Sequence, residues 1–162
     1  MRKLNDMGIS EEDIREFIDN IQNVVIENEY FNWFSLKCKL NESILEKFKK
    51  CEFLDCFYET LISSISNIQY FRVKNNYIFI KAKENSTRET FINSFIKNDK
   101  TYISEIKGML KEKYNINLEE SYIKEFINRK KYYIHHATNC IYVSEEKFAE
   151  ETEKWDILSF LN

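Results

Sequence analysis

Residues Tyr70–Ile80 (YFRVKNNYIFI) and Tyr133–Val143 (YIHHATNCIYV) share one pattern, and this pattern decides the fold. Each stretch opens with an aromatic residue, carries polar residues into a turn that contains Asn, and closes with an apolar run. Aromatic and β-branched runs on both sides of a polar turn are typical of a β-hairpin. The sequence therefore predicts two hairpins, with strands at 69–73 and 77–81 in the first and a turn near 137–139 in the second.

The same order of elements precedes each hairpin. Apolar residues at helical spacing, with capping residues before them, predict the helices. The elements expected before the first hairpin are a helix over Ser10–Asn28, an aromatic strand over Tyr30–Phe34, and helices at 35–40, 43–51 and 54–64. Those expected before the second are a helix with a Ser86/Glu89 capping box, a strand at 101–103, a helix at 104–114 begun by Ser104, and a helix over Leu118–Arg129. In this alignment Phe34-Ser35 matches Ile103-Ser104, and the hairpins match without a gap.

These elements predict a mainly α-helical α+β chain made of two similar units. The expected division is residues 9–84, residues 85–144, and a C-terminal helix at 145–162. The start of that last helix (SEEKF) resembles the start of the first (SEEDI), so it can also be the first helix of a further unit. We favour a helix that packs on the second unit through its apolar residues. These are Phe148, Trp155, Leu158 and Leu161.

Composition excludes several classes of protein. Apolar residues make up 43% of the 162 residues, which is enough for packed cores, and the chain has no Pro and only two Gly. No linker rich in Gly or Pro and no phosphate-binding loop is therefore present. The sequence shows no signal peptide and no membrane span, and the four cysteines lack metal-binding spacing. We expect a cytoplasmic protein with reduced thiols, in which Cys38, Cys51 and Cys56 fill small spaces in the core.

Charge is distributed unevenly along the chain. Residues 10–84 hold 13 acidic and 10 basic side chains, residues 85–143 hold 7 and 10, and residues 144–162 hold 6 and 2. The net charges are therefore −3, +3 and −4. If the protein contacts nucleic acid, the second unit is the favoured surface.

The predicted order of helices, strand and hairpin resembles winged-helix domains. The resemblance rests on TFINSFIKNDKTYISEIKGMLKEKYNI (Thr90–Ile116) and on the helix and hairpin that follow. This part is most similar to the short winged helices of bacterial transcription-associated proteins, such as the amino-terminal domain of the RNA polymerase delta subunit. The resemblance implies a non-enzymatic, DNA-associated or transcription-associated protein, in which a third helix enters the major groove of double-stranded DNA and the hairpin contacts the backbone.

In the second unit this third helix is Leu118–Lys131. Asn and Arg are residue types that read base edges, and Lys suits phosphates. The candidate DNA-binding residues are Lys124, Asn128, Arg129, Lys130 and Lys131 on the helix, with His135 and His136 on the hairpin. Glu119 and Glu120 oppose phosphate approach, so a solvated helix whose charges complement its dipole remains the alternative.

The first unit favours a protein partner. Its third helix presents Asp55, Cys56, Glu59, Thr60, Ser63 and Ser64, with no basic residue, and DNA would be repelled from such a face. The alternative function is therefore a protein–protein interaction adaptor without DNA affinity, which resembles the tandem winged-helix subunits that bind kleisins in bacterial condensins. The partner would bind unit 1 or the C-terminal helix. A third hypothesis is that the chain is the detached end of a larger regulatory protein.

No catalytic, metal or cofactor site is expected. His135 and His136 are neighbours on a strand, so they point to opposite faces and do not chelate one metal. Cys140 lies across the turn from them, but two ligands do not make a zinc site and no third group orients a catalytic His. The aromatic run of Tyr30, Phe31, Trp33 and Phe34 can stack on bases, although its alternation favours a place in the core.

Overall fold

The computed structural model describes residues 4–161 of the chain. Those residues form eight α-helices and two three-stranded antiparallel sheets, so the predicted α+β class is confirmed. The chain divides into two compact units, Met1–Ser86 (unit 1) and Thr87–Asn162 (unit 2). No helix in the described range is both long and apolar enough to cross a bilayer.

Unit 1 places four helices before its hairpin. Its elements are a 3-10 turn at Leu4–Met7, α1 (Glu11–Val24), β1 (Tyr30–Phe31), α2 (Trp33–Lys37), α3 (Glu42–Lys49), α4 (Asp55–Ser63), β2 (Gln69–Val73) and β3 (Asn76–Ile80). The strand order is β1-β3-β2. A capping box begins α1, because Ser10 Oγ accepts from the Asp13 amide and the Asp13 carboxylate accepts from the Ser10 amide. This start agrees with the sequence-based expectation.

An aromatic cluster forms the core of unit 1. The Phe17 and Phe48 rings lie 4.8 Å apart, and the Trp33 ring stacks on Tyr58 at 4.1 Å. Phe31 and Trp33 are both 6% exposed, which confirms the core interpretation of the aromatic run. The predicted strand through 34 is wrong, however. Asn32 Oδ1 accepts from the Ser35 amide at 3.0 Å and thereby begins α2 at Trp33.

Unit 2 has the same order with fewer helices, and it adds one helix at the end. Its elements are α5 (Arg88–Asn93), β4 (Lys100–Tyr102), α6 (Ile103–Tyr114), α7 (Glu120–Glu125), β5 (Tyr133–His135), β6 (Cys140–Tyr142) and α8 (Glu145–Phe160). The strand order β4-β6-β5 repeats that of unit 1. The capping box of α5 is formed by Thr87 and Thr90, one residue after the predicted Ser86 and Glu89 pair.

The helix α8 covers one face of the unit 2 sheet. Alternation along the strands puts Tyr133, His135 and Tyr142 on that face. The centre of the Phe148 ring, on α8, lies 5.8 Å from that of Tyr133 and 6.2 Å from those of His135 and Tyr142. The prediction that Leu158 and Leu161 also lie on the packed side is wrong, because they are 56% and 78% exposed.

Strand register corrects the alignment of the two units. In unit 1, Phe31 pairs with the fully buried Phe79 two residues before α2 begins at Trp33. In unit 2, Thr101 pairs with the fully buried Ile141 two residues before α6 begins at Ile103. Phe79 therefore corresponds to Ile141. The ungapped alignment instead matches Phe79 with Tyr142, which faces α8, so it is wrong by one residue.

The cysteines differ from the expectation that they fill the core. Cys38 and Cys56 are exposed, Cys51 is half-buried, and only Cys140 is buried, and all four thiols are free. Cys38 caps the end of α2, and Cys56 lies in the first turn of α4 with its side chain in solvent. Burial raises the pKa of the Cys140 thiol, which keeps it in the unreactive protonated form.

Candidate nucleic-acid interface

Most of the predicted DNA-contacting residues lie in a turn after α7. The helix was expected to continue through Arg129, but it ends at Glu125. Asn128, Arg129, Lys130 and Lys131 form a turn between the buried residues Ile127 and Tyr132. We call residues 128–131 the basic turn. Of the predicted contact residues, only Lys124 is on the helix itself.

Hydrogen bonds within the basic turn fix its shape. The Asn128 side-chain oxygen accepts from the Lys130 amide at 3.0 Å, which is the pattern of an Asx turn. The Asn128 carbonyl also accepts from the amides of Lys131 and Tyr132, at 3.0 and 2.9 Å. The backbone that carries the three cations is therefore held by local bonds.

Asn93, on α5, holds the end of α7 and the start of the basic turn. Its Nδ2 donates to the Phe126 carbonyl at 2.8 Å, and its Oδ1 accepts from the Asn128 amide at 3.1 Å. The Phe126 carbonyl has no intrahelical partner because α7 ends there, and the Asn128 amide belongs to the turn that follows. One side chain thus positions the basic turn relative to α5.

The cations of this region are available to an anion. Arg129, Lys130 and Lys131 are exposed and Lys124 is half-buried, and within residues 4–161 none of the four forms an ion pair. The Arg129 guanidinium donates to the Lys124 carbonyl at 3.3 Å, which draws the turn toward α7. The Lys131 ammonium lies 5.4 Å from the Tyr132 ring, a cation–π distance. This cluster is suited to phosphate oxygens.

Carboxylates limit the approach to α7 itself. Glu119, the N-cap of α7, and Glu125, its last residue, are exposed, and the Glu120 carboxylate accepts from Asn139 Nδ2 at 2.6 Å. The helix has six residues, which is about 9 Å at 1.5 Å per residue. A helix this short with an acidic start is poorly suited to enter a DNA groove, so the basic turn is the better candidate surface for phosphate.

A polar groove of about 310 Å³ lies beside the basic turn. Its lining residues are Glu89, Thr90, Asn93, Ser94, Asn128, Lys131 and Tyr132. Several of these groups are already used within the fold, since Asn93 holds α7 and the Ser94 hydroxyl donates to the Phe91 carbonyl at 2.6 Å. The groove therefore widens the surface next to Lys131 without forming a separate enclosed site.

The two histidines occupy different environments. His135 is 6% exposed, its Nδ1 lies 2.9 Å from the Thr138 hydroxyl, and its ring faces Trp155 of α8 at 5.9 Å. A phosphate cannot reach this ring while α8 is in place, so we leave His135 out of the candidate surface. His136 is exposed in the turn of the hairpin, so it remains part of the candidate surface.

His135 pairs directly with Cys140 across β5 and β6. The thiol of Cys140 points to the Thr101 carbonyl at 3.7 Å, and the His135 ring bonds to Thr138. The two groups therefore have separate partners. Within residues 4–161 no group of three or more His, Cys, Asp or Glu side chains is arranged to hold a metal ion.

The corresponding surface of unit 1 is acidic. On α4, Asp55 lies in the first turn and Glu59 is half-buried, and burial together with the nearby Asp55 raises the pKa of the Glu59 carboxyl. On the hairpin, the Arg72 guanidinium stacks over the Tyr77 ring at 4.4 Å. This surface has no run of exposed cations like the basic turn.

Sequence reasoning missed the residues that support the basic turn. Asn93 is 33 residues away from Phe126 in the chain, and no local sequence pattern indicates that its side chain bonds to the Phe126 carbonyl. Tyr132 gives a weak signal, because an aromatic residue directly after three cations suggests an anchored turn.

Comparison with known proteins finds no match for this chain among family models, curated proteins or solved structures.

Proposed function

We propose that the chain is a tandem winged-helix protein that associates with double-stranded DNA through unit 2. The winged-helix interpretation is supported by the order helix, strand, helices and hairpin in both units, and by the equal strand orders β1-β3-β2 and β4-β6-β5. In this proposal the protein is a binding module and catalyses no reaction.

The basic turn carries the proposal of DNA contact. Arg129, Lys130 and Lys131 are consecutive and exposed, and none of them pairs with a carboxylate of residues 4–161. Asn93 and Asn128 fix the backbone that carries them. Such a cluster binds the phosphate backbone without reading sequence. The acidic start of α7 makes base readout by that helix a lesser contribution.

Binding to a labelled 20-base-pair duplex, measured by fluorescence anisotropy across a salt series, tests the proposal. Lys130→Ala/Lys131→Ala should weaken binding at least tenfold at low salt, because two phosphate contacts are lost. Lys49→Ala/Lys50→Ala removes the same charge from exposed adjacent lysines in unit 1 and should leave the affinity unchanged. Equal losses in the two variants would show only a net-charge effect, and no binding by the wild-type protein would reject DNA contact.

The second candidate function is a protein–protein adaptor without DNA affinity. It is favoured by the outward side of α4 in unit 1, where Asp55, Cys56 and Thr60 are exposed and no cation is present. Leu54, just before this helix, is 75% exposed. The same anisotropy experiment separates the candidates, because an adaptor shows no salt-dependent duplex binding.

A further inference from the structure

The last helix of unit 2 has two different long sides. At about 100° per residue, Phe148, Thr152 and Trp155 fall on one side of α8, which is the side that contacts the sheet. The opposite side carries three glutamates followed by three apolar residues. These are Glu146, Glu150, Glu153, Ile157, Phe160 and Leu161, and we call them the acidic–apolar face.

The apolar end of this face is unusually exposed. Ile157 is 62% exposed, Phe160 92% and Leu161 78%. Single exposed apolar residues are ordinary on a protein surface, whereas several together on one face mark interaction sites. The sheet-facing side of α8 is already satisfied by Phe148 and Trp155, so these residues do not serve the packing of the helix on unit 2.

The acidic end of the face is also unsatisfied. Glu146, Glu150 and Glu153 are exposed and form no ion pair within the described residues. The two ion pairs of α8 lie elsewhere on the helix, with Lys147 pairing to Asp99 and Glu151 to Lys100. On α8 itself, Lys154 lies at the border of the face. The field along the first three turns therefore favours a cationic partner.

We propose that the acidic–apolar face docks a basic amphipathic helix of a partner protein. Cations of the partner would meet the glutamates, and its apolar residues would cover Ile157 and Phe160, as in other cases of an amphipathic helix bound along an apolar surface. A second copy of this chain fits less well. Parallel pairing of two α8 helices would oppose glutamate to glutamate, and antiparallel pairing would set glutamates against the apolar ends.

This docking surface is independent of the proposed DNA contact. It lies on α8, whereas the phosphate contact belongs to the basic turn between α7 and β5. The Lys130→Ala/Lys131→Ala variant should therefore bind the partner as the wild-type protein does, so failure of one proposal does not imply failure of the other.

The test uses two synthetic 18-residue model helices as probes. One has Leu on one side and Lys on the other, and the second has Glu in place of Lys. Isothermal titration of the full chain should show the Leu/Lys helix binding at least tenfold more tightly than the Leu/Glu helix. Equal affinity for both probes, or no binding of either, would overturn the proposal.

Two sets of variants then locate the binding. The first set, Ile157→Gln/Phe160→Gln, should weaken binding of the Leu/Lys helix at least tenfold. The second set, Glu146→Gln/Glu150→Gln/Glu153→Gln, should weaken binding by a similar factor and remove the salt dependence of the affinity. The matched control Ile26→Gln/Leu54→Gln replaces exposed apolar residues of unit 1, at 58% and 75% exposure, and should bind as wild type. An unchanged affinity in the α8 variants would place the peptide elsewhere.

Folding and self-association are checked on the same samples. All substituted side chains are exposed, so circular dichroism should match the wild-type spectrum. Sedimentation equilibrium should show a monomer at micromolar concentration. If the wild-type protein is a dimer and the Ile157→Gln/Phe160→Gln variant is a monomer, the face binds a second copy of the chain, and the proposal of a different partner protein is overturned.

Discussion

Thr101 has a buried hydroxyl without a hydrogen-bond partner. The residue is 3% exposed in β4, and its Oγ1 forms no hydrogen bond with any of residues 4–161. Thr101→Val keeps the β-branched shape and removes the unsatisfied group, so we expect the free energy of unfolding to rise by about 1 kcal/mol. Urea denaturation at pH 7 measures it.

Thr138→Val is the matched comparison for this substitution. Its hydroxyl bonds to His135 Nδ1 at 2.9 Å, so the loss should lower the free energy of unfolding by about 1 kcal/mol. A Thr101→Val protein destabilised as much as Thr138→Val would contradict the assignment of Thr101 as unsatisfied.

Asp13 links α1 to α3 and gives unit 1 an acid-sensitive contact. A hydrogen bond from Lys47, with further bonds from Ser10, lowers the pKa of the Asp13 carboxyl to about 2 from an ordinary value of 3.8. A lowered folded-state pKa means that the contribution to stability is full above about pH 4 and is lost as the pH falls toward 2. Asp13→Asn should therefore melt at a lower temperature than wild type at pH 7, and the two melting temperatures should converge near pH 2.

The Asp13 prediction is checked by thermal melts at several pH values. Asp19→Asn, on an exposed part of α1 outside any ion pair of the described chain, is the control and should follow the wild-type curve. A constant difference between Asp13→Asn and wild type down to pH 2 would show that charge plays no part in the contact.

At the scale of elements, α7 shows what sequence could predict and what it could not. Tyr122, Ile123, Phe126 and Ile127 keep helical spacing, so the pattern correctly places a helix here. The pattern does not reveal its end, since the Phe126 carbonyl is taken by Asn93 from another helix. A bond between residues 33 positions apart leaves no local signal.

The hairpins show the same limit in another form. Alternation identifies the strands, and β2 begins and ends at the predicted residues, Gln69 and Val73. Alternation does not say which face is the core, and one residue of slip exchanges the two faces. The match of Phe79 with Tyr142 followed from that ambiguity, which only the position of α8 and the start of α6 resolve.

Asn93→Ala tests the link between α5 and the basic turn. Removing the side chain leaves the Phe126 carbonyl and the Asn128 amide without partners, so unit 2 should lose about 2 kcal/mol of unfolding free energy. Hydrogen exchange at the Asn128 amide should also accelerate. Asn117→Ala, at an exposed position between α6 and α7, should change stability by less than about 0.5 kcal/mol. Unchanged exchange at Asn128 would contradict the proposed link.

Two phenylalanines of α8 form a matched pair. Phe148 contacts the rings of Tyr133, His135 and Tyr142, whereas Phe160 is 92% exposed. We expect Phe148→Ala to lower the free energy of unfolding by about 2 kcal/mol, less than the loss for a fully buried ring. Phe160→Ala should change it by under about 0.5 kcal/mol, as is usual for surface sites. Equal effects would mean that α8 does not pack through Phe148.

At the scale of the whole molecule, charge distribution sets how the proposed DNA binding should depend on salt. The chain has a net charge of −3, yet four cations cluster at Lys124 and residues 129–131. If each meets one phosphate, the logarithm of the association constant should fall against the logarithm of salt with a slope of about −3.6. Lys130→Ala/Lys131→Ala should reduce that slope by about half. A slope near zero would exclude phosphate contact by the basic turn.

The candidate site was only partly visible in the sequence. Arg129, Lys130 and Lys131 are evident as a run of cations, and their exposure follows from their charge. The burial of His135 was not evident, because it depends on Trp155, which lies twenty positions further along the chain. Periodicity describes one element at a time and does not show which elements meet.

The cover that α8 provides has a consequence for the handling of this protein. The strand β5 lies at the edge of its sheet, where it pairs with β6. The rings of Tyr133 in β5 and Tyr142 in β6 lie on the face that α8 covers. Proteolysis near Ser144 that releases the helix would leave an open strand edge beside a bare aromatic surface. Such edges recruit strands from other molecules. Aggregation of a clipped protein, with the intact chain remaining dispersed, is the behaviour expected on storage.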